Sequence, residues 1–317
     1  MKTITKILVF VATLGALTLV SCRKDDTETK KVEEAKFEAP VLAQAAAKVE
    51  FNTVEDNQQV VVSDEVDGKV KVVKGIEFTE SGYAIITKTT VAVKSDDPEE
   101  EVEVLPYTMQ GDVYVIDGFG TVKINKTDKS VEIALEDNTG NVQETITVTA
   151  TDVDTTTPPA PGTTEFDLCR SWTVDRIVVS VKGGKLGEAG AGAKLDAPVT
   201  MANVEKQLKD AGVNVPNDIK LSDYDIVDIN FTKQGTFLIN FTKAAPFYGP
   251  YTLNADKTFS YEFKGEGNYI FNAKADGKVD FARVNNVDYC YFSVKGEIVN
   301  GSDTYTSTVE LTLKEKK

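Results

Sequence analysis

The sequence predicts an all-β chain built from two antiparallel β domains. The N-terminal one is smaller, a β sandwich or partial barrel; the C-terminal one is a sandwich or barrel with one short helix. Three observations predict this. Short runs of alternating apolar and polar residues, rich in Val, Ile, Thr, Tyr and Phe, recur along the chain. Turn residues punctuate them at the spacing of a sandwich or barrel. A stretch rich in Thr and Pro, "VDTTTPPAPGTT" from Val153 to Thr164, has no apolar period and separates two β regions as a semi-stiff linker.

The elements follow in chain order. Residues 1–21 read as a signal segment. Lys2 and Lys6 form a basic start, and Ile7 to Val20 is apolar or small throughout. That run falls short of the roughly 20 residues a spanning helix needs and matches the apolar core of a signal peptide. It ends in Leu19-Val20-Ser21-Cys22, which resembles a bacterial lipobox. The resemblance implies that the Cys22 thiol receives a diacylglycerol, that the preceding segment is cleaved, and that lipid then anchors the chain. Cysteine suits this step because a thiolate is a good nucleophile, and two or more acyl chains anchor a protein stably. The alternative is a plain secretory signal followed by an incidental cysteine.

Lys24, Asp25 and Asp26 follow Cys22 closely and resemble the lipoprotein export signal of Bacteroidota. That resemblance implies passage through the outer membrane and display on the cell surface. The alternative is a charged tether on a lipoprotein facing the periplasm. Residues 22–47 are expected to be an acidic tether, with "PVLAQAAAK", Pro40 to Lys48, forming a short helix or further linker.

Residues 48–152 hold the first β domain, with strands expected in "KVKVVKG", "GYAIITKTTVAV", "GDVYVIDGFGTVKI", "KSVEIAL" and "ETITVTATDV". Asp67-Gly68, Asn125-Lys126-Thr127-Asp128 and Asn138-Thr139-Gly140 mark its turns. The linker, residues 153–165, contains Asp154-Thr155-Thr156, which resembles the Bacteroidota O-glycosylation sequon and makes Thr155 the candidate acceptor.

Residues 166–317 hold the second β domain, from "RSWTVDRIVVSVKG" to "TYTSTVELTLK". One helix is expected within it: Thr200 as N-cap, Val204, Leu208 and Ala211 on one face, and Gly212 beyond the end. The preceding "KGGKLGEAGAGAKLDAP" lacks the ending of a phosphate-binding loop and reads as a flexible connector.

An internal echo links the two regions. Ile76 to Ile86 aligns without gaps to Ile229 to Ile239, matching at Phe78 with Phe231, Thr79 with Thr232, and Gly82 with Gly235. Tyr107-Thr108-Met109 then echoes Tyr251-Thr252-Leu253, each followed by an aspartate, Asp112 or Asp256. The expected unit is a hairpin with glycine at its tight position, followed by a strand opened by tyrosine.

The second domain resembles the lipocalin-like domains of Bacteroidota lipoproteins. The likeness rests on the early "LCRSW" carrying the only Trp, Trp172, on the Phe231–Phe237 hairpin, and on "YTLNADKTF", Tyr251 to Phe259. Arg170 stands where lipocalins carry the glycine of their Gly-x-Trp. The resemblance implies a closed barrel with Trp172 at its floor. Phe259, Tyr261 and Phe263 then share a face, as do Tyr269 and Phe271, while Cys290, Phe292, Val294 and Ile298 turn away from Tyr289 and Tyr291. Such stripes are either plain core or an aromatic cup, lined by Trp172, Phe259, Tyr261, Phe263, Tyr269 and Phe271, for a small apolar or glycan ligand.

Composition narrows function. Hydrophobic residues make up 41% of the 317, enough for ordinary cores. Asp and Glu outnumber Lys and Arg by 50 to 35, which argues against nucleic acid as a partner. There is no histidine, so Ser-His-Asp and Cys-His catalysis and histidine-based zinc sites are excluded. No catalytic residue, metal ligand or cofactor is singled out, and the chain is expected not to be an enzyme. Beyond Cys22, Cys169 and Cys290 are either a disulfide permitted outside the cytoplasm or two buried thiols. The expected function is a lipid-anchored surface protein binding a small apolar or glycan ligand. The alternative is an adhesion protein that meets envelope or host proteins and has no pocket.

Overall fold

The computed structural model describes residues 37, 46–53, 59–62, 69–92, 100–136, 141–154, 159–184, 191–196, 199–200, 202–203, 206, 221–244, 246–263, 272–300 and 302–316. The chain divides into two compact units, Val41–Pro158 and Met1–Pro40 with Pro159–Lys317.

The first unit is a sheet of nine antiparallel strands: β1 Ala47–Glu50, β2 Lys69–Phe78, β3 Tyr83–Ala92, β4 Glu100–Gln110, β5 Val113–Ile116, β6 Gly120–Ile124, β7 Ser130–Glu136, β8 Val142–Thr149 and β9 Asp152–Asp154. Strands β1 to β8 pair in chain order, and β9 pairs with the free side of β1. The sheet's two edge strands are therefore consecutive in sequence. Between them the Ala150 amide bonds Lys129 of the β7 side, and the Thr151 amide bonds Glu50 of β1. The sheet must curl on itself for one chain passage to serve both edges.

The curl buries Ile76, Phe78, Ile86, Ile116 and Ile133. Full burial of such side chains is worth about 1.5–3 kcal/mol each. Alternation is visible along β7, where Val131 and Ile133 are buried and Glu132 is exposed. Gly120 permits the tightest contact: a Cβ there would lie 1.9 Å from the Ala134 carbonyl oxygen of the paired strand.

The second unit opens with helix α1, Thr164–Leu168, capped by the Thr163 hydroxyl accepting from the Phe166 amide at 3.2 Å. Its strands are β10 Ser171–Gly183, β11 Ala191–Asp196, β12 Ile226–Phe231, β13 Thr236–Phe241, β14 Phe247–Leu253, β15 Thr258–Phe263, β16 Asn272–Val284, β17 Val287–Asn300 and β18 Asp303–Glu315. Strands β12 to β18 pair in order, β10 pairs with β12, and β10 also pairs with β18 from Trp172↔Glu315 to Gly183↔Tyr305. The result is a closed barrel of eight strands, with β11 added alongside β10. Closure brings the first and last strands of the ring together, although β10 meets β12 only at Ser171 and Trp172 before turning to β11. Asn285 and Asn286, with φ of 53° and 62°, form the tight turn between β16 and β17.

The chain is almost entirely β, in two β units, as its sequence pattern predicts. Local details differ. The Gly- and Ala-rich stretch expected to be a connector contains β11, whose backbone pairs with β10 from Arg176↔Asp196 to Val181↔Ala191. Small residues suffice there because backbone pairing supplies the contact. Helix α1 begins inside the expected linker, which β9 also enters, and β1 begins within the expected tether. Of the expected second helix, Ala202, Asn203 and Lys206 are helical, and the Thr200 hydroxyl accepts from the Asn203 amide at 3.3 Å. Val204, Leu208, Ala211 and Gly212 lie outside the described residues.

The echoed hairpin occurs in both units with the same bonds. The Thr79 amide bonds the Tyr83 carbonyl at 2.8 Å, and the Gly82 amide bonds the Thr79 carbonyl at 3.1 Å. In the barrel the Thr232 amide bonds the Thr236 carbonyl at 2.9 Å, and the Gly235 amide bonds the Thr232 carbonyl at 3.1 Å. Gly82 and Gly235 have φ of 84° and 82°, which explains the shared glycine. The paired aspartates do not correspond in the same way. Asp256 accepts from the amide and hydroxyl of Thr258, and Asp128, not Asp112, repeats this with Ser130. Asp112 instead pairs with Lys123.

Candidate functional site

The barrel interior is the candidate site. Alternation on β12, β13, β15, β17 and β18 turns Ile229, Phe231, Phe237, Ile239, Phe259, Tyr261, Phe292, Val294, Val309, Leu311 and Leu313 toward one cavity of about 50 Å³. The rings interlock. Phe231 stacks on Phe292 with centroids 5.3 Å apart, and Phe259 meets Phe292 edge-on at 5.0 Å. Tyr261 packs edge-on against Phe237 at 5.7 Å. A drug-sized ligand site measures roughly 300–1,000 Å³, so the aromatic side chains already fill most of this barrel.

Tyr261 brings the one hydroxyl to this lining. Burial pushes its phenol up to about 12, so it stays protonated at any physiological pH. Phe259 and Tyr261 thus lie together as their shared face on β15 implies. The side chain of Phe263, on the same strand, and residues Tyr269 and Phe271 are outside the described residues. So are Cys22, Lys24, Asp25, Asp26 and Thr155.

Trp172 does not line the cavity. It is fully buried in the floor, where its indole Nε1 donates to the Leu168 carbonyl at 2.9 Å. Helix α1 exists to present that carbonyl, and its Phe166 and Leu168 face inward. Beneath lies a polar layer that sequence pattern did not reveal. The Arg170 guanidinium donates to Glu315 at 2.9 Å, to Asp288 at 3.3 Å and to the Phe166 carbonyl at 3.0 Å. Arg170 also stands over the rings of Phe37, Phe166 and Trp172 at 4.9, 5.8 and 5.8 Å. Arg283 reaches the second oxygen of Asp288 at 3.6 Å. Arg170 therefore has a structural use: it knits α1, β17 and β18 together beside the tryptophan. Its adjacency to the sole Trp was the available signal. Phe37, within the expected tether, packs edge-on against Phe281 of β16 at 5.8 Å.

Cys169 and Cys290 form no disulfide. Each is buried by itself: Cys169 Sγ lies 3.7 Å from Tyr251 Oη, and Cys290 sits in the inward row of β17. Burial raises the Cys290 thiol well above its ordinary pKa, so it is inert. Tyr291 lies outward on β17 beside Tyr289, with ring centroids 6.3 Å apart.

A second buried polar group lies on β12. Asp228 accepts from Asn230 at 2.7 Å and from Asn240 at 2.6 Å, and it pairs with Lys316. The buried aspartates of this unit, Asp228 and Asp288, are thus held by structural partners.

These features define a closed antiparallel barrel with a small apolar interior above a salt-bridged floor. No family model matches the chain, and no curated protein matches it. It is similar to the crystal structure of a "putative outer membrane protein" from Bacteroides fragilis, at 11% identity over 87% of this chain and 98% of that one, with a TM-score of 0.22. At that score the likeness carries no argument about fold or function.

Proposed function

We propose that this is a lipid-anchored outer-membrane protein, displayed on the cell surface, whose lipocalin-like barrel binds a small apolar ligand. The observation that carries the binding reading is the cavity enclosed by Phe231, Phe259, Phe292 and their neighbours. Its lining favours an apolar ligand over a glycan, because a sugar needs several hydrogen-bonding groups and Tyr261 brings only one. The anchor rests on the lipobox ending in Cys22 and on Lys24-Asp25-Asp26 behind it. We read the protein as a binder and not a catalyst. The chain contains no histidine to serve as general base, and Asp228 and Asp288 are committed to structural cations and amides.

The size of the cavity, about 50 Å³, favours a second reading: a barrel that is simply filled, on a protein that meets envelope or host proteins. Native mass spectrometry of the protein purified from its own host separates the two. A small molecule retained by the folded chain and released on unfolding supports the binding reading. A clean apo mass for every folded species supports the pocket-free one.

A further inference from the structure

Phe37 lies fifteen residues beyond Cys22, in a stretch of sequence that is otherwise polar. Between the two there is no aromatic residue and no Leu, Ile or Met. A lone phenylalanine in a charged tether gains free energy only by finding an apolar surface. Phe37 has found one at the barrel floor. Its ring stands edge-on to Phe281 of β16, with centroids 5.8 Å apart and planes at 85°. The Arg170 guanidinium lies 4.9 Å from its ring centre. Edge-on ring pairs and a guanidinium over an aromatic face are both attractive. Phe37 thereby joins the barrel's own core, together with Val174 and Phe281. With Phe166 and Trp172 it also surrounds the guanidinium that pairs with Asp288 and Glu315.

This partner is not the one that chain order suggests. After Phe37 the chain runs into the first unit, Val41–Pro158, and returns to the barrel only at Pro159. Order alone would put the barrel at the far end of the protein from Cys22, beyond the whole of that unit. The contact with Phe281 and Arg170 removes that separation. Fifteen residues reach at most about 50 Å even when fully extended.

We propose that the barrel floor is a docking surface for the chain's own tether, that Phe37 is the residue that occupies it, and that this contact keeps the floor end of the barrel beside the lipid anchor. The placement beside lipid rests on the reading of Cys22 as the acylated residue. The docking of Phe37 does not.

The docking is tested in the full chain carrying Cys22→Ser, by NMR with labelled phenylalanine and arginine. The expected result is a nuclear Overhauser contact between the Phe37 and Phe281 rings, and a shift of the Arg170 guanidinium signal on Phe37→Ala. A folded barrel with no such contact and an unmoved Arg170 signal overturns the docking. A ring contact found only between differently labelled copies in a mixed sample assigns the floor to a second chain and overturns it as a site for the chain's own tether. The placement is tested in the lipidated chain. Val284→Cys, at the exposed end of β16 beside Arg283, carries a donor dye, while the buried Cys169 and Cys290 stay unlabelled. The protein is inserted into vesicles of phosphatidylethanolamine and phosphatidylglycerol with an acceptor on the lipid head group. Energy transfer is expected in the parent chain, largely lost in Phe37→Ala and restored in Phe37→Tyr, with the Trp172 emission maximum confirming a folded barrel in each. Transfer that Phe37→Ala leaves unchanged overturns the placement. A chain whose mass shows no lipid at Cys22 and which does not bind vesicles overturns the anchor reading instead, and the ring contact still decides the docking.

Discussion

Tyr251 donates its hydroxyl to the carbonyl oxygen of Thr232 at 2.6 Å, and Tyr107 makes the same bond to Thr79 at 2.7 Å. Each tyrosine ring also stands edge-on to the phenylalanine before that threonine, Phe231 at 5.4 Å and Phe78 at 5.2 Å. The Tyr251 amide bonds Gly235, and the Tyr107 amide bonds Gly82. One local device therefore fixes a hairpin to the next strand in both units. The threonine carbonyl accepts twice, from the glycine amide of its own turn and from the tyrosine two strands along.

Removing either hydroxyl takes away one of the two donors to that carbonyl, which keeps its turn bond from Gly82 or Gly235. Tyr107→Phe and Tyr251→Phe are each expected to cost about 1 kcal/mol, the net worth of one hydrogen bond. Urea unfolding checks this. The two losses should add, since the substitutions share no partner. A loss from one variant only would mean that the two hairpins are not equivalent.

This device was legible in sequence because it is local and demands particular residues. A positive φ selects Gly82 and Gly235, and a hydroxyl that accepts from the amide across the turn, Tyr83 or Thr236, selects Thr79 and Thr232. Barrel closure was legible only as a resemblance. The β10–β18 pairing joins Trp172 to Glu315, and no periodicity encodes a contact between such distant segments. Strand β11 was hidden because edge pairing uses backbone and asks little of Gly and Ala side chains. Helix α1 was hidden among the Thr and Pro of the linker, where one threonine caps and its neighbours do not. The cavity lining was half legible: Phe259 and Tyr261 follow from alternation on one strand, whereas Phe231, Phe237 and Phe292 join them only once the barrel closes.

The floor depends on a buried charge with two acidic partners. Arg170→Ala takes the nearer cation from buried Asp288, leaving it the 3.6 Å contact with Arg283, and is expected to destabilise the barrel by about 3 kcal/mol. Replacing both partners, Arg170→Met with Asp288→Leu, should recover part of that loss, because the two most deeply buried charges go together while Glu315 and Arg283 keep some access to water. Denaturant melts followed by Trp172 fluorescence report on the floor directly. A mild loss in the single variant would mean that Arg170 is not the keystone of this layer.

Asp167 supplies a pH test. Burial holds its carboxyl above the ordinary pKa, opposed in part by Arg170 and Lys257. With the folded pKa raised, the native state binds the proton more readily than the unfolded chain. Stability attributable to this group is therefore greatest below the unfolded pKa and falls as pH rises through the folded one. Asp167→Asn is expected to raise the thermal midpoint at pH 7 and to leave it nearly unchanged near pH 3. A gain of equal size at both pH values would show that charge is not the cause.

The anchor is tested in cells. Labelled palmitate is expected to enter the wild-type chain and not the Cys22→Ser chain. Protease added to intact cells should remove the wild-type protein, and neutralising Lys24, Asp25 and Asp26 together should protect it. Full protection of the wild type would contradict surface display while leaving lipidation in place.

The central claim is that the barrel encloses a space an apolar guest can enter, and xenon tests it most directly. Empty apolar cavities take up xenon, whereas fully packed cores do not. In a crystal of the Cys22→Ser chain under xenon pressure, the predicted result is one site bounded by Phe231, Phe259, Tyr261 and Phe292. A barrel interior free of xenon, in a crystal that binds it elsewhere, would contradict the claim.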